Sequence, residues 1–82
     1  MVEVFYEDKF LRVINKIKDR SFQDHIKKLI EKVINNPETG KPMRYERQGT
    51  REVHTGSFRL SYIFLKTEDR LVFLNIYHKD EQ

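Results

Sequence analysis

Eighty-two residues with two prolines, three glycines and no long polar stretch fit one domain, residues 1–82, which buries only roughly 60% of its unfolded surface and so must carry any site at that surface. The absence of cysteine excludes disulfides, thiolate metal sites and a cysteine nucleophile, and with no apolar run near ~18 residues and no signal-peptide head the expectation is a soluble, cytoplasmic protein without a membrane partner. A net charge of +3 from 16 basic and 13 acidic residues is by itself an ordinary solvated surface, so only its distribution can point to a partner.

Val2, Val4 and Tyr6 alternate with Glu3 and Phe5, the period of two of a short first strand. Asp8 then offers a helix cap, and Phe10, Leu11, Val13, Ile14 and Ile17 form one apolar helical stripe, with Lys9, Arg12, Lys16 and Lys18 on the wet side. Ser21 followed by Asp24 reads as a capping box that restarts a helix after Asp19 and Arg20. Phe22, Ile26, Leu29, Ile30, Val33 and Ile34 keep the helical period until Asn35, Asn36 and Pro37 stop it. So short a joint between two helices makes an αα-hairpin.

Residues 37–50 hold both prolines and two of the three glycines, which predicts a loop, with a short strand around Met43 and Tyr45. Three strands follow: Arg51 to His54, Phe58 to Leu65 and Leu71 to Tyr77, with turns at Thr55-Gly56-Ser57 and Thr67-Glu68-Asp69. The expected architecture is α+β in two layers, an N-terminal strand and α-hairpin packed on a small antiparallel sheet.

Charge concentrates in the middle of the chain. Residues 41–59 carry five basic and two acidic side chains and so contribute the whole +3. Lys41, Arg44, Arg47, Arg51 and Arg59 lie there with Tyr45 and Phe58 interleaved, the pattern of a surface that meets a phosphate backbone. Lys41, Arg44, Arg47, Arg51 and the terminal Lys79 are candidates for holding the phosphates of such a backbone. Tyr45 can stack on a base, whereas Tyr62 fits the core better and His54 reads as surface. The histidines have no metal-ligand spacing, and neither a glycine-rich phosphate loop nor a nucleophilic serine motif occurs. No metal or other cofactor is expected.

The element order, and above all the stretch NPETGKPMRYERQGTREVHTGSFRLSYIF from Asn36 to Phe64 with the closing Ile76-Tyr77-His78-Lys79-Asp80-Glu81, resembles the RelE/ParE toxin superfamily over nearly the whole chain. The resemblance implies the toxin of a type II toxin-antitoxin system: a ribosome-dependent mRNA endonuclease that cleaves without a metal, by attack of the RNA 2′-hydroxyl on the adjacent phosphate. It implies a cognate antitoxin, the ribosome and mRNA as partners, in a toxin-antitoxin hetero-oligomer. Arg59 matches the family's phosphate-stabilising arginine, and by the period of two it projects opposite Phe58, Leu60, Tyr62 and Phe64. His78 matches the terminal histidine of the YoeB-like branch and is expected to converge with Arg59 as the acid at the leaving oxygen. Glu46 stands near that branch's catalytic glutamate, and a salt bridge to Arg44 or Arg47 accounts for it equally well. The same superfamily contains ParE-like members that inhibit DNA gyrase by binding, and an inactive antitoxin-binding remnant is a third reading.

Overall fold

The structure is a computed structural model that describes residues 2–42 and 49–78. Strand β1 (Glu3–Tyr6) leads into helix α1 (Asp8–Lys16) and helix α2 (Arg20–Asn35), followed by β2 (Lys41–Pro42), β3 (Thr50–Thr55), β4 (Phe58–Leu65), a 3₁₀ turn (Lys66–Glu68) and β5 (Arg70–His78). The five strands form one sheet in the order β1-β5-β4-β3-β2. The three C-terminal strands and β2 pair antiparallel, as expected, but β1 lies parallel to β5, with Glu3 opposite Arg70 and Tyr6 opposite Phe73. The sheet is therefore mixed, because the chain leaves β1 through the helices and returns to that edge only with its last strand.

Both helices start one residue or more away from the expected caps. Asp8 is already the first helical residue of α1, and Glu7 before it makes no side-chain cap; the Asp8 charge still favours the positive end of the helix. The Ser21–Asp24 box does not form, since Asp19 takes the cap of α2 and its Oδ1 accepts from the backbone N–H of Ser21 at 2.9 Å and of Phe22 at 3.3 Å. Aspartate accepts these orphan donors as well as serine does. The expected strand around Met43 and Tyr45 lies outside the described residues, while β2 pairs Lys41 with Glu52 and Pro42 with Arg51 just before it.

One face of the sheet holds the core. Phe10 of α1 and Ile26, Leu29 and Val33 of α2 bury against Val53, Leu60, Tyr62, Leu71, Phe73 and Ile76, the helical stripe meeting alternate strand residues. Phe10 and Phe73 stack at 5.5 Å between centroids. Alternation breaks once. Ser61 faces Asn75 but Tyr62 faces Phe73, so Leu74 has no partner and β5 carries a bulge there. Before the bulge Leu71 and Phe73 point to the core; after it Ile76 does.

Candidate active site

The site grows from a tight hairpin. Between Thr55 and Phe58 the chain turns on Gly56 and Ser57, with Gly56 at φ 56°, a left-handed conformation that glycine adopts without steric cost. A two-residue turn sets the register, so His54 stands directly opposite Arg59, and β5 adds Tyr77 on Arg59's other side. A second row two residues along runs Lys41, Glu52, Ser61, Asn75. Residues opposed across a sheet share a face, and here it is the face turned away from the helices.

Glu52 is the hub of this face. Its Oε1 accepts from His54 Nε2 at 3.0 Å and lies 3.7 Å from Arg59 Nη1, while its Oε2 accepts from the Tyr77 hydroxyl. Burial is the largest single influence on the carboxyl and opposes its ionisation, yet the hydrogen bonds from Tyr77 and His54 and the charges of Arg59 and His54 together outweigh it and hold the group below the usual carboxylate value. Glu52 is therefore an anion at neutral pH, only 12% exposed along its side chain, against 29% for Arg59 and 52% for His54. A cation that can grip a phosphate and an imidazole that can move a proton thus stand side by side on an accessible surface.

Of the expected site residues, Arg59 lies on this face as the alternation required. Its meeting with His78 does not occur. His78 stands opposite Phe58, edge-on to that ring at 5.1 Å, and Phe58 packs on Phe22 of α2 at 4.2 Å, so the imidazole lies on the helix side of the sheet. Unbroken alternation from Val72 would have set His78 on Arg59's face; the bulge at Leu74 reverses the parity and delivers Tyr77 there instead. Arg51 also points to the helix side. Its Nη1 donates to the carbonyls of Glu38 at 3.2 Å and Gly40 at 2.7 Å, which makes it a tie for the loop before β2 rather than an open phosphate ligand. Lys41 is exposed beside Glu52 at the sheet edge, on the same face as Arg59. Arg44, Tyr45, Glu46, Arg47 and Lys79 lie outside the described residues. Tyr62 is fully buried.

Three residues of the cluster escaped the sequence reading: Glu52, His54 and Tyr77. The first two escaped because the expected turn, Thr55-Gly56-Ser57, holds three residues, whereas β3 runs on to Thr55 and the observed two-residue turn pairs His54 with Arg59 and puts Glu52 on the same face. Tyr77 escaped because its face depends on the bulge. Among the described residues no group of three or more His, Cys, Asp or Glu can hold a metal ion, and no helix is long and apolar enough to cross a membrane.

Comparison with solved structures shows a shared fold. A chain of the intact Escherichia coli RelBE toxin-antitoxin complex superposes with a TM-score of 0.79 at 15% identity, over 95% of this chain and 96% of that one. A chain of the RelBE2 toxin-antitoxin complex from Mycobacterium tuberculosis gives 0.77 at 24% identity over 94% and 96%, and YafQ from E. coli strain BL21(DE3) gives 0.78 at 18% over 99% and 97%. No curated protein matches the sequence. The family model described as the ParE toxin of the type II toxin-antitoxin system parDE matches residues 4–82. With all but the first three residues matched and the two-layer fold shared with RelE-type structures, the chain belongs to the ParE toxin family of type II toxin-antitoxin systems.

Proposed function

We propose that the protein is a metal-independent endoribonuclease that cleaves mRNA on the ribosome, with the face built on Arg59 as its active site. The supporting observation is the juxtaposition of His54 and Arg59 on adjacent strands, beside an anionic Glu52. His54 takes the proton of the RNA 2′-hydroxyl, the 2′-oxygen bonds to phosphorus, and the bond from phosphorus to the 5′-oxygen breaks. A 2′,3′-cyclic phosphate forms, and the departing 5′-oxygen takes a proton from water. Arg59 stabilises the charge that builds on the phosphate, a role in which losing one preorganised donor costs about a hundredfold or more in rate. Lys41 at the sheet edge adds a phosphate contact of the positioning kind, and Arg44, Arg47, Lys79 and Tyr45 are assigned to binding RNA in the same reading.

A cognate antitoxin is the proposed silencing partner. Exposed Tyr6 and Leu11 border a groove with Phe10, Ile14, Ile26 and Ile30 between the two helices, which fits an amphipathic helix laid in by its apolar side.

To test the nuclease reading, the protein is added to a translation extract and reverse-transcription stops are mapped on the message. Wild type is expected to produce stops that Arg59→Ala reduces about a hundredfold; equal stops from both would remove the reading. The family match favours a second reading, binding and inhibition of DNA gyrase. Loss of plasmid supercoiling with intact message would establish it instead.

A further inference from the structure

We propose that Glu52 and Tyr77 are positioning residues for the proposed nuclease: a carboxylate pinned by the tyrosine hydroxyl sets the tautomer of His54 and steadies Arg59. The inference rests on the nuclease reading above and assigns two residues to it that touch no substrate.

The Glu52 carboxylate is unsuited to take the proton itself. One oxygen receives the Tyr77 hydroxyl, and the other receives His54 Nε2 at 3.0 Å with Arg59 Nη1 at 3.7 Å. Two hydrogen-bond donors and a nearby cation, from three strands, thus hold the carboxylate. An ionised carboxylate only accepts hydrogen bonds, so the contact with His54 requires the hydrogen to sit on Nε2. The lone pair of neutral His54 is then on Nδ1, on a half-exposed ring, which is the atom left to receive the 2′-hydroxyl proton.

Tyr77 explains why the carboxylate stays in place. It reaches Glu52 from β5, across the intervening Arg59 strand, because its Cα partner is Arg59 and the bulge at Leu74 has turned it to this face. A glutamate on a strand has several rotamers, and one hydrogen bond to an exposed histidine would hold it poorly. The second bond, from a partly buried phenol, selects one of them. Charged or titratable neighbours of His54 on the packed strands are Glu52 on its own strand, Arg59 on β4, Tyr77 on β5 and Lys41 on β2.

The test uses full-length protein on ribosome-bound message, in single-turnover cleavage from about pH 4, in the carboxylate range, to about pH 8. Tyr77→Phe is expected to lower the cleavage rate about tenfold with little change in the concentration giving half-maximal rate, and to keep the acid limb of the pH profile in place. Glu52→Gln is expected to lower the rate by about tenfold to a hundredfold, less than removal of the proton-transfer group itself, for which roughly 10²–10⁴ is usual. It should leave the concentration giving half-maximal rate close to that of wild type, as expected of a residue that touches no substrate. Wild-type rates from both variants, or Glu52→Gln as inactive as His54→Ala with a wild-type limb in the carboxylate range, would overturn the assignment. An inactive wild type with active gyrase inhibition would instead remove the nuclease reading on which it rests. Circular dichroism of each variant separates lost chemistry from lost folding, and Tyr77→Phe, which keeps the ring, serves if Glu52→Gln does not fold.

Discussion

Tyr62 shows how one phenol can organise a loop next to the site. Its hydroxyl donates to the Pro37 carbonyl at 2.8 Å and accepts from the Gly40 N–H at 2.9 Å, so the loop that delivers Lys41 is fastened from inside the core. Burial pushes the phenol up from its usual value, opposed by the Gly40 hydrogen bond and the charge of Arg51, so it remains a neutral donor at physiological pH. Tyr62→Phe leaves a buried N–H and a carbonyl unmatched and is expected to cost about 1–3 kcal/mol, read as a lower urea midpoint at unchanged slope. Gly40→Ala should destabilise through the same contact. An added Cβ would lie 2.6 Å from the Tyr62 hydroxyl and 3.1 Å from the Glu52 carbonyl, closer than packed atoms tolerate. The residue type at 62 was legible as core from its place in an apolar strand; the loop it holds was not, because the partners are backbone groups 22 and 25 positions away.

At the level of elements, the helices were legible from their apolar stripes and the strands from alternation, whereas the starts of the helices were not. The α2 cap was expected at Ser21 but falls two residues earlier at Asp19, whose extended backbone, φ −74° and ψ 111°, aims its oxygen at the next turn. Asp19→Ala is accordingly expected to cost about 0.5–2 kcal/mol in denaturant unfolding, while Ser21→Ala, inside the helix, should be close to neutral. The bulge in β5 has larger consequences. One unpartnered residue, Leu74, exchanges the faces of everything after it, so the residue expected to join Arg59 faces the helices and its neighbour takes its place. Nothing in the run Leu71 to His78 marks that position: every residue from 71 to 74 is apolar, and a strand of such composition reads the same with either parity.

Across the whole molecule, the two proposed activities fall on opposite layers. The Glu52–His54–Arg59–Tyr77 face turns away from the helices, and the apolar groove lies between them. A helix seated in that groove, as proposed, lies on the layer opposite Arg59 and does not itself cover it. Leu11 is 44% exposed at the groove, and Leu11→Glu is expected to weaken antitoxin binding and leave toxicity intact. Growth arrest that persists when antitoxin is co-expressed is the measurement, and full neutralisation of Leu11→Glu would place the partner elsewhere.

Composition, periodicity and the order of elements were enough for the two layers, the core stripe and the face on which Arg59 stands, because each follows from local geometry: 3.6 residues per helical turn and two per strand repeat. The parallel docking of β1 and the company Arg59 keeps were decided only in the folded protein. Both depend on pairing between strands distant in the chain, where a single extra residue in β5 reverses which side chains meet.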